Sequence, residues 1–358
     1  MMRVKQLQNI ETPQKGFIMN RLLTGMVLGI VWLIFLWVPS ISQAKEYTVQ
    51  GRTMGTFYTV KLVSSRPQSM DLWQKKIDTR LAQVNAGLSM YDPDSDLSRF
   101  NRTEPGRPFR LSRDFAQVMD TARTVFTLTD GAWDGTVKPL VDLWGFGTRE
   151  PADALPAPDA VAKALALTGF QHLVFENTHV KKTKPGITLD LGSIAKGYGV
   201  DAIAGVLTGS GIDDFLVEIG GELYGSGKNR HKKPWSVGIT HPLKTGAGAG
   251  LYKVVNLENR AIATSGDYRN YFEVQGKIYS HIIDPKTGYP VDNQVVSASV
   301  IADTCTFADA LATAFVVMDP ADSLALADSL EHVECLIIQK TPAGFTEFAS
   351  RGFHTFVQ

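Results

Sequence analysis

Residues 187–201 read Ile-Thr-Leu-Asp-Leu-Gly-Ser-Ile-Ala-Lys-Gly-Tyr-Gly-Val-Asp, and they constrain this chain more than any other stretch. An apolar, strand-like run passes a Gly-Ser pair and enters a helix-like run over 194–207. A strand that feeds a helix through glycine leaves backbone N–H groups unpaired at the helix start, which favours an anion there. Asp190 falls at the strand end, Ser193 at the expected N-cap and Lys196 on the first turn. An acid, a hydroxyl and a lysine around one helix start suit a phosphate with a bound cation. The plainer reading is a capped helix, a closed turn and a solvated lysine. The stretch is not a Walker A loop, because Gly197 follows the lysine where Ser or Thr is required. Gly225-Ser226-Gly227-Lys228 is not one either; it reads as a hairpin turn between 215–224 and 235–239.

A chain of 358 residues can bury a large core as one large domain or two modest ones. Lys plus Arg and Asp plus Glu both number 36, and basic runs stop at Lys181-Lys182 and 230–233. That balance argues against a nucleic-acid footprint. Cys305 and Cys335 are the only cysteines and lack CxxC spacing, so they make no zinc site; they can pair in an oxidising compartment or stay as two buried thiols.

The N-terminus reads as an export signal. An uncharged apolar run over 22–38 follows Lys15 and Arg21 and precedes Ser42-Gln43-Ala44, a small-x-small cleavage pattern. The basic flank predicts that the following bulk crosses the membrane. Residues 1–44 are therefore expected to be a signal peptide or an N-terminal membrane segment, and 45–358 the exported bulk of the chain. The run is nearly long enough to span a bilayer, so an uncleaved anchor is the alternative to a free periplasmic protein.

Along the mature chain, 47–63 reads as a first hairpin carrying Thr-Met-Gly-Thr at 53–56. Helices are expected over 71–85, 112–128 and 159–168. Asp92, Asp94 and Asp96 lie in a polar loop that lacks the Gly and Glu of an EF-hand. The glycine- and aromatic-rich 129–147 reads as an irregular loop able to wrap a planar ligand, and 149–160 as a surface excursion. Short strands are expected near 173–175, 179–182, 215–222, 234–240, 252–257, 260–267, 280–290, 295–302, 336–339 and 344–349, with a flexible link over 245–250. The helix over 306–318 puts Asp309 and Thr313 on one face. Its other residues are apolar, so a buried carboxylate there needs a partner, and carboxylate with hydroxyl oxygen suits a hard cation. The plainer reading is an acid in a first helical turn and a Thr bonding back to a carbonyl.

Several motifs in order carry a resemblance. They are Thr-Met-Gly-Thr at Thr53, Met-Tyr-Asp-Pro at Met90, Ala-Trp-Asp-Gly-Thr-Val at Ala132 and Leu-Trp-Gly-Phe-Gly at Leu143. Leu-Asp-Leu-Gly-Ser-Ile-Ala-Lys-Gly at Leu189, Gly-Gly-Glu at Gly220, Ala-Thr-Ser-Gly-Asp at Ala263, His-Ile-Ile-Asp-Pro-Lys-Thr-Gly at His281 and Ala-Asp-Ala-Leu-Ala-Thr-Ala at Ala308 follow. From about Tyr47 to its end the chain resembles the FAD:protein FMN transferases, the ApbE-type flavin transferase family. The resemblance implies an α+β fold of antiparallel sheets packed with helices, T-fold-like. It implies Mg²⁺-dependent transfer of FMN from FAD to a Ser or Thr hydroxyl of an acceptor protein, with release of AMP. It implies that Met54, Tyr91, Ala132, Trp133, Asp134, Asp190, Lys196 and His281 contact FAD. Ser193 (through its carbonyl), Asp309 and Thr313 would hold the metal, and His281 would sit at the reacting phosphate. The implied partners are acceptor subunits of respiratory or redox membrane complexes with a Ser/Thr flavinylation motif. Trp133 stands where Phe is expected in many relatives, and no cysteine near the cleavage point offers a lipid attachment site. Two other readings fit the same residues: an FAD pyrophosphatase giving FMN and AMP, and an exported flavin-binding protein without turnover.

Overall fold

A computed structural model describes residues 44–147, 155–242, 250–266, 271–274 and 277–358. The apolar run over 22–38, most of the expected link over 245–250 and the first half of the expected excursion over 149–160 lie outside these. Residues Ala44–Gln358 form one compact unit. Among the described residues, no helix is long and apolar enough to cross a membrane.

The chain opens with the hairpin β1 (Lys45–Thr53) and β2 (Thr56–Ser64). Next come α1 (Met70–Leu88), α2 (Asp96–Asn101), β3 (Phe109–Arg110) and α3 (Arg113–Leu128). Two short helices, α4 (Lys138–Leu143) and α5 (Pro158–Leu165), lead to the hairpin β4 (Leu173–Glu176) and β5 (His179–Lys182). Then follow α6 (Gly192–Gly209), β6 (Phe215–Ile219), β7 (Glu222–Ser226), β8 (Trp235–Thr240) and β9 (Leu251–Leu257). After β10 (Arg260–Ser265), β11 (Tyr271–Val274), β12 (Lys277–Ser280) and β13 (Val295–Ala302) stand α7 (Cys305–Val317) and α8 (Pro320–Ser329). β14 (Glu334–Thr341) and β15 (Gly344–Ala349) close the fold.

The frame is an antiparallel eight-stranded sheet in the order β1-β2-β6-β7-β10-β13-β14-β15. Successive side chains of a strand point to opposite faces, and the two faces have different covers. Val217, Ala261, Ala263, Val300 and Ile337 join the core built with α1, α3, α6 and α7. Leu216, Ile262, Ile301, Leu336 and Ile338 pack instead on Val237, Ile239, Val255 and Leu257 of the β8–β9 hairpin. β13 is buried along its whole length because it is covered on both sides. The fold is thus α+β, with antiparallel sheets packed with helices, as the motifs imply.

Several local expectations are corrected. Residues 187–191 form no strand; the Asn101 amide brackets Leu189 instead, accepting its N–H at 2.7 Å and donating to its carbonyl at 2.9 Å. Ser193 is not the N-cap: that position falls two residues earlier, at Leu191, and Ser193 marks a kink with φ −89° and ψ 15°. The hairpin turn lies at Gly220-Gly221, between β6 and β7, and not at 225–228. Inside the segment read as irregular loop, 138–143 is helical, with Pro139 pre-set for a first turn. The helix α8 and the strands β3 and β11 were not expected. Both cysteines are free and buried, and burial pushes the Cys335 thiol up to about 12 and the Cys305 thiol well above its ordinary range.

Candidate active site

One cleft of about 340 Å³ lies where the starts of α6 and β7, the face of α7, the end of β10, the loop after α3 and the residue after β12 converge. Its lining holds Tyr91, Ala132, Trp133, Asp134, Asp190, Ser193, Lys196, His281, Asp309 and Thr313. Those positions are spread over more than two hundred residues of sequence. Met54, alone among the residues expected at the site, is not in the lining. It sits at the β1–β2 turn with φ 49°, its thioether packed over Gly199 of α6.

The meeting of α6 and α7 fixes the centre. A Cβ on Gly197 would fall 2.3 Å from the Cys305 carbonyl oxygen and 2.8 Å from the Asp309 Cβ. Only glycine lets these backbones come so close. The approach allows Asp309 Oδ2 to accept the Gly197 N–H at 2.9 Å. Asp201, one helical turn further along α6, accepts the N–H groups of Cys305 and Thr306, each at 2.8 Å, and so holds the start of α7. Burial raises the Asp201 pKa, with those hydrogen bonds opposing.

Lys196 projects between two acids. Its ammonium pairs with Glu222 Oε1 and lies 3.7 Å from Asp309 Oδ1. Glu222 is 1 % exposed and Asp309 2 %. Thr313, one turn along α7 from Asp309, shares a 2.8 Å hydrogen bond with Ser265 at the end of β10. Along the same wall as Asp309, Thr313 and Ser265 offer hydroxyl oxygens, the ligand type of a hard cation. Among the described residues, no group of three or more His, Cys, Asp or Glu side chains is placed to hold a metal ion. A cation here would rely on hydroxyl, carbonyl and substrate oxygens beside Asp309.

Asp190 closes the first turn of α6 by accepting the Gly192 N–H at 2.8 Å, so part of the donor set expected for an anion is taken by a carboxylate. Burial raises its pKa. Trp133 is 2 % exposed and donates its indole N–H to Ser193 Oγ at 3.0 Å, locking the aromatic loop onto the kink. Phe170 lies tilted against it, with ring centroids 6.3 Å apart and an interplanar angle of 56°. Asp134 binds its own loop: it accepts from the Thr136 N–H at 2.7 Å, the Thr136 hydroxyl at 2.6 Å and the Phe170 N–H at 3.0 Å. Its carboxylate is a fastener, and burial raises its pKa.

Tyr91 stands at the lip, 79 % exposed, on a loop that Ser89 organises by accepting the N–H groups of Tyr91 and Asp92. His281 follows β12 directly and meets the Phe146 ring edge-on at 6.3 Å. The turn behind it is fixed by Trp144, whose indole N–H donates to the Gly288 carbonyl at 2.8 Å. Glu222 is the site residue that local sequence reading passed over. Its Gly-Gly-Glu setting marks a turn, but only the pairing of β7 with β10 buries it beside Lys196.

Fold and cleft together define a class: an α+β protein whose buried acids, lysine and imidazole, walled by aromatic loops, are equipment for phosphoryl transfer. The ApbE family model matches residues 54–337, and the chain belongs to the ApbE family. It is 42 % identical to an FAD:protein FMN transferase of Vibrio cholerae over 88 % of this chain and 93 % of that protein. It is 37 % identical to an FAD:protein FMN transferase of Haemophilus influenzae over 94 % and 98 %. The structure of the flavin transferase ApbE from Vibrio cholerae superposes with a TM-score of 0.80 at 40 % identity, covering 87 % of this chain and 99 % of that one.

Proposed function

We propose that this protein is an FAD:protein FMN transferase, exported across the membrane, that joins FMN to a Ser or Thr of an acceptor protein. The observation that carries the reading is the meeting of Lys196, Asp309, Thr313 and His281, from separate parts of the chain, on one cleft. In the reaction, the acceptor hydroxyl oxygen bonds to the FMN-side phosphorus of FAD. The P–O bond to AMP breaks, AMP departs with the bridging oxygen, and the hydroxyl proton passes to a base. His281, in the lining of the same cleft, is the group that takes that proton, since an imidazole accepts one near neutral pH. The Lys196 ammonium would face the phosphate oxygens of bound FAD, and Tyr91 would supply an aromatic surface at the lip. Asp309, Thr313 and the Ser193 carbonyl would hold Mg²⁺. The carboxylate and hydroxyl oxygens of Asp309 and Thr313 suit that ion, as does the burial of Asp309 and Glu222 beside Lys196. When bound, Mg²⁺ supplies charge neutralisation on the phosphate oxygens.

The test incubates the protein with FAD, Mg²⁺ and a candidate acceptor domain, and follows acceptor mass and free AMP. The expected result is an acceptor heavier by FMN less one water, with AMP released in equal amount. FMN and AMP both free, with the acceptor unchanged, would replace the transferase with a pyrophosphatase. FAD bound without AMP would leave only a flavin-binding protein.

A further inference from the structure

Glu222 is built to hold Lys196. The tight turn before it runs through Gly220 and Gly221, with φ of 60° and 98°. A Cβ on Gly220 would come 2.9 Å from Thr56 Cγ2 and 3.3 Å from Lys196 Cδ, so the turn is cut back to let the lysine stem pass. Glu222 then starts β7 with Oε1 on the Lys196 ammonium and Oε2 accepting the Thr264 N–H at 3.3 Å. Asp309, on the opposite wall, is 3.7 Å from the same ammonium and is held through its other oxygen by Gly197. Of these two acids, the nearer holds the ammonium more strongly.

We propose that Glu222 is a positioning residue that draws the Lys196 ammonium off Asp309, and so keeps the near oxygen of Asp309 available to a divalent cation. The inference rests on the metal reading of Asp309 given above. With Glu222 neutralised, the ammonium moves onto Asp309 and competes with the cation for it. Glu222 acts here through Lys196, which separates this role from that of a ligand or of a general negative charge.

Binding of Mn²⁺ alone, read by the electron paramagnetic resonance of the free ion, tests this in four folded proteins without FAD. They are the wild type, Glu222→Gln, Lys196→Met and the double variant, with Asp309→Ala as control. Glu222→Gln should weaken Mn²⁺ binding about 5- to 100-fold when Lys196 is present, and less than about twofold when it is methionine. If Glu222→Gln does not fold, Glu222→Asp keeps the charge, withdraws it by one methylene and should show the same dependence on Lys196. Equal weakening in both backgrounds would make Glu222 a ligand or a bulk charge and overturn the proposal. An unchanged affinity in the Lys196 background would overturn it as well. If the wild type binds Mn²⁺ no better than Asp309→Ala, the metal reading itself fails, a result separate from either of those.

Discussion

Trp133 and Tyr91 are both aromatic residues of one cleft, yet their surroundings give them different work. Trp133 is buried and hydrogen-bonded to Ser193, whereas Tyr91 stands at the lip with most of its surface free. Trp133→Ala should therefore cost stability, about 3–5 kcal/mol as for other buried aromatics, read by denaturant unfolding. Tyr91→Ala should leave the unfolding midpoint in place and weaken FAD binding by about 1–3 kcal/mol, read by fluorescence titration. A stable Trp133→Ala variant with weakened FAD binding would reverse the two assignments. His281 is argued from chemistry: as the proton acceptor, its replacement by Ala should slow FMN transfer by about 10²–10⁴-fold while FAD still binds. Wild-type turnover in His281→Ala would make it a structural residue at a strand end.

At the scale of elements, two contacts set the geometry. The first is the glycine-mediated approach of α6 to α7. Gly197→Ala places a methyl against the Cys305 carbonyl and must push the helices apart. The expected cost is about 1–3 kcal/mol, with loss of Mg²⁺-dependent transfer beyond what the stability change explains. Retention of both would show that the close approach is not needed. The second is a network joining α1, α3 and α6: Arg80 donates two hydrogen bonds to Asp114, at 2.6 and 2.7 Å, and the Tyr198 hydroxyl donates to Asp114 at 2.8 Å. The hydrogen bond from Arg80 holds the Asp114 carboxyl below its ordinary value of 3.8, against burial and with help from Tyr198. The folded protein then binds fewer protons there than the unfolded chain. The stabilisation is full above 3.8 and is lost as pH falls through the lower native value. Asp114→Asn should lower Tm near neutral pH, by roughly 1–3 kcal/mol in stability, and the difference from wild type should shrink in acid. A deficit that grew on acidification would contradict this sign.

For the whole molecule, β1 starts at Lys45, directly after the expected cleavage point. If the segment before it is a removed export signal, protein recovered from the periplasm should begin at Lys45. Recovery only with membranes, with residues 22–38 still attached, would establish an anchor. The eight-stranded sheet explains why one cleft gathers residues from such distant segments. Helices cover one face and the β8–β9 hairpin the other, so the ends of β7 and β10 and the residues flanking them are where side chains remain available to a ligand.

Sequence alone determined the family, through its ordered motifs, and most of the elements, because apolar spacing and turn residues act over short range. It placed Asp309 and Thr313 on one helix face, since helical periodicity is local. It misread 187–189 as a strand, because apolar β-branched residues pack equally well in a buried extended segment whose backbone partner is the side chain of Asn101. It put Ser193 at the cap, because a Gly-Ser pair before an apolar run is the usual cap signal, while the indole of Trp133 claimed that hydroxyl. It placed Trp133 and Asp134 at the cleft, whose lining holds both, but did not show the bonds that tie them to Ser193, Thr136 and Phe170. Tertiary structure alone decided that Glu222 belongs beside Lys196, twenty-six residues away. Whether an acid is solvated or buried against a lysine depends on strand pairing and helix approach, and neither is written in the residues next to it.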